Sequence, residues 1–358
     1  MCDWRYLRPN MEQNTEAKRT EIASLGEFGL IDRIAKTAKP RQPSTLKGIG
    51  DDAAVIDNGD GTATIVTTDM LLESIHFDLA YVPLRHLGYK AVAVNVSDIA
   101  AMNATPKQIT IGLGLSNRFS VEAIDELYAG IAAACEAYNI DLIGGDTCAS
   151  RAGLVISITA IGTAKTEDIV YRSGAKPGEV VCVSGDLGAA FLGLQILERE
   201  KQEYLVNPDM KPQLDEKDYV IGRQLRPEAR MDIIYELKEF GVRPTAMIDV
   251  SDGLASELLH IAKASNVAIA VYEDTLPFDN QAAMVATEFG IVPATCILNG
   301  GEDYELLMTF TQADFEIIRK KTALITPIGI TREAGEGNIL MTKGGQSMPL
   351  TAQGWVAF

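Results

Sequence analysis

Three consecutive segments decide the fold: TATIVTTDM (residues 62–70), PLRHLGYKAVAVNVSDIAAMN (83–103) and KQITIGLGL (107–115). The first and last segments read as strands. The middle one reads as a helix with Pro83 near its start. Its stretch YKAVAVNVSDIAAM (89–102) is apolar nearly all round, which predicts a helix buried on several sides. A strand, a buried helix and a second strand in this order indicate a layered α/β or α+β domain.

The pattern continues on both sides of this unit. A helix is predicted upstream in LGEFGLIDRIAKTAK (25–39), and downstream come a helix that Ser120 opens as N-cap, the segment IDLIGGDT (140–147) and the strand GLVISITAIGTA (153–164). The turn-forming YRSGAKPGEV (171–180) then predicts a crossing into a second domain. Strand–turn–helix units open that domain at VVCVSGDLGAAFLGLQIL (180–197) and return at AMIDVSDGLASELLHIA (246–262). We therefore expect a loosely ordered leader over 1–24, an N-terminal domain over 25–165 and a C-terminal domain over 166–358, with residues 200–220 as a charged surface excursion.

Composition narrows the classes of function. The 358 residues are enough for two domains with real interiors, and 47% of them are apolar. The 49 acidic against 32 basic residues give a net charge of −17, which disfavours binding to nucleic acid or to an anionic membrane. The five cysteines show no C-x-x-C pair, which fits reduced thiols. The first twenty residues lack the apolar core of a signal peptide and no later run is long enough to span a bilayer, so we expect a cytoplasmic protein.

Carboxylates recur where predicted strands end or where glycines stand. Asp51 and Asp52 precede a strand in LKGIGDDAAVID (46–57), Asp69 ends IVTTD, and Asp98 lies one helical turn after Asn95. Others follow the same rule: Asp146 after LIGG, Asp249 and Asp252 around the end of AMIDV, and Glu302 and Asp303 after Gly300 and Gly301. Loops held by a rigid sheet can converge on one crevice, so these positions are typical of a ligand site.

A single acid of this kind has a simpler explanation as a turn former or helix N-cap, which applies to Asp252 and Asp186 taken alone. Repetition at five junctions favours a shared site instead. Hard oxygen ligands on several loops suit Mg²⁺, which shares its remaining positions with substrate phosphates.

Other catalytic chemistries lack their residues. The sequence has no phosphate-loop, dinucleotide-fingerprint, H-E-x-x-H or G-x-S-x-G motif. Its three histidines make a histidine-based triad improbable. His86 and His260 fall in predicted helices, whereas His76 follows Asp69 by seven residues and is a candidate for the site.

Taken in order, GIGDDAAVI, TTDMLLESIHF, GYKAVAVNVSDIAAMNATP, LIGGDT, RSGAKPGE, IDVSDGL and NGGEDYEL resemble the thiamine-monophosphate kinase family, from about Leu25 to the C-terminus. That family is grouped with aminoimidazole ribonucleotide synthetase and selenophosphate synthetase. The nucleophilic cysteine and lysine segment of selenophosphate synthetase is missing here, since Cys2 has no such surroundings. Thr67 stands where the family often has serine, and no carboxylate of the pattern is lost.

The resemblance implies transfer of the γ-phosphoryl group of ATP directly to thiamine monophosphate, with several Mg²⁺ ions. It implies the following roles. Metal-binding positions are Asp52, Thr67, Thr68, Asp69, Asp98, Asp146, Asp249 and Asp252; nucleotide positions are Tyr128, Gly145, Asp146, Arg172 and Ser251; acceptor positions are His76, Glu302 and Trp355. It also implies a homodimer in which the first domain pairs across a two-fold axis as a barrel-like sheet, and a layered α/β second domain.

Physical chemistry agrees with this assignment. ATP and a phosphate monoester carry about six negative charges together, which an acidic chain must offset with metal ions. No general base is expected, because the attacking phosphate oxygen is already ionised at neutral pH. Glu302 and Trp355 are residue types that favour a cationic thiazolium ring, although Trp355 would equally pack the C-terminal tail. Two alternatives stay open. One is an ATP-dependent synthetase of the same superfamily that acts on another small phosphorylated or carbamoylated substrate, and the other is a non-catalytic module that binds a divalent cation or a nucleotide.

Overall fold

The computed structural model describes residues 21–354. The described residues form two compact units, one of residues 21–39 and one of residues 40–354. In the first unit, a short 3-10 turn at Ile22–Ser24 is followed by helix α1 (Gly26–Ala35), as LGEFGLIDRIAKTAK predicts. Residues 1–20 of the predicted leader lie outside the described residues.

The first sheet of the larger unit has six strands in the order β1-β2-β3-β6-β4-β5. These strands are β1 (Thr45–Lys47), β2 (Ala54–Asp57), β3 (Thr62–Leu72), β4 (Thr105–Leu115), β5 (Asp141–Ala149) and β6 (Val155–Lys165). All neighbours are antiparallel except β4 and β5, which are parallel. The edge strand β5 is exposed along its whole length.

Helix α2 (Leu84–Ala101) packs on this sheet and beside helix α3 (Val121–Tyr138). Fourteen of the eighteen residues of α2 are buried, as the apolar character of 89–102 predicts. The two helices cross at glycines: a Cβ on Gly88 would lie 2.1 Å from the Leu127 carbonyl oxygen, and one on Gly130 would lie 1.9 Å from that of Arg85. Ser120 caps α3 by accepting a hydrogen bond from the Ala123 N–H, as predicted.

The second sheet has seven strands in the order β13-β12-β9-β11-β7-β10-β8, antiparallel except for β12 and β9. Its strands are β7 (Val180–Ser184), β8 (Ala246–Asp249), β9 (Ala268–Tyr272), β10 (Leu306–Phe310), β11 (Ile325–Arg332), β12 (Ile339–Met341) and β13 (Ser347–Pro349). The remaining helices are α4 (Ala189–Val206), α5 (Asp218–Leu225), α6 (Met231–Phe240), α7 (Leu254–Ser265), α8 (Asn280–Phe289), α9 (Pro293–Asn299) and α10 (Gln312–Ile318). Two mixed sheets covered by helices confirm the predicted α/β (α+β) class.

The largest core cluster draws side chains from both sheets. Ile65 of β3 and Ile99 of α2 belong to the same cluster as Met247 of β8 and Leu306 of β10. Helix α2 also contacts β8, α5 and α6. The helix is therefore a shared element between the two sheets, and it brings the acids of both halves to one place. The division of the chain at residue 165 stays a prediction.

The segment 200–220 is more regular than the sequence suggests. Helix α4 continues to Val206 with Glu200 buried, and α5 begins at Asp218, so the irregular part is confined to 207–217, although the last turn of α4 is also exposed. In the described part of the chain, no single helix has the length and apolar character to cross a bilayer; α8 and α9 meet that criterion only as a pair bent by 107°.

Candidate active site

Three carboxylates from distant parts of the chain meet beside α2. One oxygen each of Asp52, Asp98 and Asp249 lies within 4.8 Å of the others. Asp52 stands in the turn before β2, Asp98 on α2 and Asp249 at the end of β8. The buried helix between the sheets thus supplies the middle member, and the ends of two strands supply the others.

Hydroxyl groups hold two of these carboxylates in place. Thr67 of β3 donates to Asp98 Oδ2 at 2.5 Å, and Ser97 of α2 donates to Asp249 Oδ2 at 2.6 Å. Since both hydroxyls are almost fully buried, water does not compete for these bonds. One oxygen of each acid stays available for another partner.

Asp69 follows Thr67 by two residues and so projects from the same side of β3. Its backbone N–H donates to Asn95 Oδ1 at 3.0 Å, and Asn95 in turn donates to the Ala91 carbonyl. The predicted pairing of Asn95 and Asp98 on one face of α2 therefore joins β3 to the site.

Arg172 connects the turn before β2 to the segment that leads into the second sheet. Its guanidinium donates to Asp52 Oδ1 at 2.8 Å, and its backbone N–H donates to Asp51 Oδ1 at 3.0 Å. Asp51 also pairs with Lys47 at 3.1 Å. Asp52 Oδ2 is buried and accepts no hydrogen bond in the described structure, which leaves it the best-placed oxygen for a cation.

Burial and mutual repulsion disfavour the ionised acids. Burial raises the pKa of Asp52 to about 7 against the opposing effect of Arg172. Burial likewise raises the pKa of Asp69 and Asp249 to about 6. The pKa of Asp98 is raised well above its usual range, first by burial and then by Asp69, Asp249 and Asp52. Carboxyl groups this close together and this far removed from water cannot all be ionised at neutral pH unless a cation is bound between them.

The loop after β8 lies against the loop before β10. Tyr304 N–H donates to the Val250 carbonyl at 2.9 Å, and Glu302 N–H donates to the Ser251 carbonyl at 2.7 Å. Asp252 N–H donates to Glu257 Oε1 of α7 at 3.0 Å. The two β strands therefore extend into paired loops that carry Ser251, Asp252 and Glu302 to the same side.

The carboxylate of Glu302 is engaged by two further groups. Lys90 Nζ of α2 lies 2.7 Å from Oε1, and Gln224 Nε2 of α5 donates to Oε2 at 2.6 Å. Glu302 has a positive φ of 66°. A backbone in this region is unfavourable for glutamate, so the surrounding contacts must fix it there.

Other predicted residues lie outside the three-carboxylate group. Thr68 is exposed on the opposite face of β3 from Thr67, and its hydroxyl donates to the Ile158 carbonyl. Asp146 lies on the exposed strand β5. A Cβ on the adjacent Gly145 would lie 2.0 Å from the Ile111 carbonyl oxygen of β4, so strand pairing by itself requires glycine there.

The remaining predicted positions are scattered. Tyr128 is half-buried on α3 and packs against the core. His76 accepts a hydrogen bond at Nδ1 from the Leu72 N–H in the turn after β3. Trp355 lies outside the described residues.

Sequence reasoning missed several contributors. Ser97 differs little from ordinary polar residues in the sequence, and Glu257, buried in α7 with its pKa raised well above the usual range by burial, has no distinctive spacing. Lys90 did leave a signal. It is a lysine in a helix predicted to be buried on nearly every side, and a buried lysine needs an acidic partner.

The chain resembles known proteins over most of its length. Residues 50–164 match the N-terminal domain family of AIR synthase related proteins, and residues 169–336 match the C-terminal domain family. The thiamine-monophosphate kinase of Bacillus subtilis (strain 168) is 36% identical over 339 residues, which cover 93% of this chain and all of that protein. The thiamine-monophosphate kinase of Aquifex aeolicus (strain VF5) is 38% identical over 288 residues, covering 80% and 87%.

A solved structure described as AaThiL complexed with AMPPCP and TMP has the same fold. It is similar to this chain with a TM-score of 0.81 at 32% identity, covering 96% of this chain and all of that one.

Proposed function

The chain belongs to the thiamine-monophosphate kinase family, and from this premise we propose that it transfers the γ-phosphoryl group of ATP to thiamine monophosphate. The products are thiamine diphosphate and ADP. The observation that carries the proposal is the convergence of Asp52, Asp98 and Asp249, with one oxygen of each within 4.8 Å of the others. Enzymes of phosphoryl transfer act by positioning and charge stabilisation, and a carboxylate cluster that binds metal provides both.

The residues present fit Mg²⁺. The ligands are hard oxygens, Asp52 Oδ2 is buried without a hydrogen bond, and burial raises the pKa values of the surrounding acids. A divalent cation held by these carboxylates would relieve this unfavourable charge and would supply charge stabilisation for phosphate groups. We assign Asp52, Asp98 and Asp249 as the first ligands, with Thr67 and Ser97 orienting two of them.

The wider set of metal positions remains a proposal from the family resemblance. Asp69 has direct support, since it lies on the same side of β3 as Thr67 and burial raises its pKa to about 6. Asp252 is supported by its place in the loop that follows Asp249. Thr68 and Asp146 rest on the resemblance alone, and the backbone carbonyl of Thr68 would serve better than its hydroxyl, which is already engaged with Ile158.

The nucleotide phosphates would lie beside this cluster and the Arg172 guanidinium. Arg172 is a planar cation that already orients Asp52, so it is suited to fix a phosphate beside the metal ligands. Tyr128, Gly145, Asp146 and Ser251 complete the proposed nucleotide set.

The acceptor would approach from the side of Glu302. The Glu302 N–H bonds to the Ser251 carbonyl, so this residue is adjacent to the loop of Asp252. His76 and Trp355 complete the proposed acceptor set. These two sets would hold the γ-phosphate of ATP in line with the acceptor phosphate. The attack requires no proton transfer from the acceptor phosphate, which is ionised at neutral pH.

An assay of ATP, thiamine monophosphate and Mg²⁺ tests the proposal by following thiamine diphosphate and ADP. We expect equal amounts of both products, formed only when all three components are present. ADP without thiamine diphosphate would indicate another acceptor, as in a related synthetase. ATP binding without ADP would indicate a binding module.

Two further features stay proposals. The chain would act as a homodimer, which is supported by the exposed edge strand β5 with Leu142 40% and Ile143 57% exposed, because such an edge invites pairing with a second chain. It would act in the cytoplasm, which is supported by free thiols at the four described cysteines.

A further inference from the structure

Lys90 is an unusual residue in the interior. It lies on α2, the apolar helix between the two sheets, and only 2% of it is exposed. Its ammonium is 2.7 Å from Glu302 Oε1 and donates to the Gln224 carbonyl at 3.2 Å. Burying an ammonium group is costly unless it is paired with an opposite charge. The Glu302 carboxylate therefore offsets the free-energy cost of burying Lys90.

Glu302 cannot easily leave this pair. Its backbone is held at a positive φ by the hydrogen bond to Ser251. The glycines before it approach other backbone closely: a Cβ on Gly300 would lie 2.3 Å from the Cys296 carbonyl oxygen, and one on Gly301 would lie 2.4 Å from that of Ser251. The carboxylate is therefore fixed from both the backbone and the side chain, while 26% of the side chain remains exposed to a ligand.

The helix that supplies Gln224 is itself anchored. After α5, Glu228 accepts hydrogen bonds from Tyr89 at 2.5 Å and Tyr138 at 3.0 Å, and Ala229 N–H donates to the Tyr138 hydroxyl at 2.8 Å. These bonds tie the α5–α6 connection to α2 and α3. Lys90 and Gln224 thus form a rigid support behind Glu302.

A fixed ammonium changes what a ligand experiences at Glu302. An unpaired carboxylate would attract any cation strongly, whereas a carboxylate with an ammonium 2.7 Å away presents a nearly neutral pair. The thiazolium ring is cationic in both the acceptor and its product. Attraction that is equal before and after the reaction tightens binding without raising turnover and retains the product.

We propose that Lys90 is a specificity-determining residue that offsets the charge of Glu302 and so sets how strongly the acceptor pocket prefers a cationic ring. This inference rests on the proposed function, because it takes Glu302 as a residue that faces the acceptor. Lys90 itself is a positioning and charge-balancing group and contacts no reacting atom.

The readout is a ratio of two affinities measured by calorimetry. One ligand is thiamine monophosphate, and the other is its 3-deaza analogue, in which a neutral thiophene replaces the thiazolium ring. The ratio of the analogue's Kd to the Kd of thiamine monophosphate measures how strongly the pocket prefers a cationic ring. Changes in packing that weaken both ligands equally cancel in this ratio. We expect Lys90→Met to raise this ratio about 5-fold or more, and Glu302→Gln to lower it towards one.

The double variant Lys90→Met/Glu302→Gln should give the low ratio of Glu302→Gln, since Lys90 acts through Glu302. Lys107→Met removes the same formal charge from an exposed position on β4 and should leave the ratio unchanged. Should Lys90→Met fail to fold, Lys90→Gln removes the charge and keeps a hydrogen-bond donor. Lys90→Arg keeps the charge and should retain the ratio of the wild type.

An unchanged ratio in Lys90→Met or Lys90→Gln, with both ligands weakened equally, would overturn the proposal and leave Lys90 a packing residue. If the variants give this result while the wild type phosphorylates thiamine monophosphate, the proposed function stands and only the inference about Lys90 fails. A wild type that neither binds nor phosphorylates thiamine monophosphate would refute the proposed function, and the inference about Lys90 with it.

Discussion

Two adjacent acidic residues in the turn before β2 have different partners. Asp51 accepts the backbone N–H of Arg172 on Oδ1, and its Oδ2, which accepts no hydrogen bond from the described residues, forms an ion pair with Lys47 Nζ at 3.1 Å. Asp52 uses one oxygen for the Arg172 side chain and leaves the other buried without a hydrogen bond. Of the two adjacent acids in LKGIGDDAAVID, Asp51 therefore holds the chain in place, and Asp52 has an oxygen suited to a cation.

We expect Asp52→Asn to lower kcat at least about 100-fold without loss of stability, because it removes a metal ligand and relieves buried charge. Asp51→Asn is the matched control. It weakens a buried hydrogen-bonded pair, so we expect it to lower the free energy of unfolding by about 1–3 kcal/mol while folded enzyme keeps most of its activity. For each variant, turnover under limiting Mg²⁺ measures the activity and thermal denaturation measures the stability. Normal turnover of Asp52→Asn would place the metal elsewhere.

Arg172 permits a second prediction, because its guanidinium contacts Asp52 rather than standing free for a phosphate. Arg172→Ala should raise the apparent KM for ATP about 10-fold and also raise the Mg²⁺ concentration needed for half-maximal activity, since Asp52 loses the partner that orients it. The KM for thiamine monophosphate should change little. Steady-state kinetics in which ATP, thiamine monophosphate and Mg²⁺ are varied in turn test this prediction. Equal changes in the KM values for ATP and thiamine monophosphate would indicate that Arg172 only holds its own backbone segment in place.

At the scale of the element, the close approach of β5 to β4 depends on one glycine. A Cβ at Gly145 would meet the Ile111 carbonyl oxygen at 2.0 Å, whereas one at Gly144 has no atom within 4 Å. The family resemblance assigns Gly145 to the nucleotide, and the structure adds a reason in strand pairing.

Gly145→Ala should therefore destabilise the protein by about 1–3 kcal/mol, because a contact with rigid backbone can be relieved only by moving β5. Gly144→Ala is the control and should melt within about a degree of the wild type. Thermal denaturation and hydrogen exchange along β5 provide the measurement. A Gly145→Ala protein that melts normally and has a raised KM for ATP would support a nucleotide contact alone.

Elements with strong periodicity could be predicted from the sequence. Helix α2 follows from the apolar run at 89–102, and the cap of α3 follows from Ser120. The continuation of α4 through residues 200–206 was not predicted, because its charged composition resembles a loop while the buried Glu200 gains a partner in Arg199. Local composition carries no information about which charged residues tertiary packing will bury.

The candidate site was predictable to a similar extent. Its carboxylates stand out because acids recur at strand ends. Ser97 does not stand out, and the partner of Lys90 cannot be identified from the sequence, because the bonds from Ser97 to Asp249 and from Lys90 to Glu302 join residues more than 150 positions apart. Contacts of this kind depend on how the two sheets meet across α2, which a single sequence does not specify.

For the whole molecule, the acidic cluster opposes folding at neutral pH unless a cation is present. Asp52, Asp69 and Asp249 have pKa values of about 6 to 7 in the folded chain against an ordinary value of 3.8. An acid whose pKa is raised by folding binds an extra proton in the folded state between those two values. Stability contributed by that proton is therefore present at low pH and lost as pH rises through about 6 to 7.

We accordingly expect the metal-free protein, kept in chelator, to melt several degrees lower at about pH 8 than at about pH 5.5. Mg²⁺ binds the ionised acids, so it should raise the melting temperature more at the higher pH. Asp98→Asn should reduce both effects, because it removes one of the repelling charges, whereas Asp125→Asn, at an exposed position on α3, should change neither. A metal-free melting temperature that rises over this range, with Asp98→Asn behaving as the wild type, would show that these acids are not the origin of the coupling between Mg²⁺ and the fold.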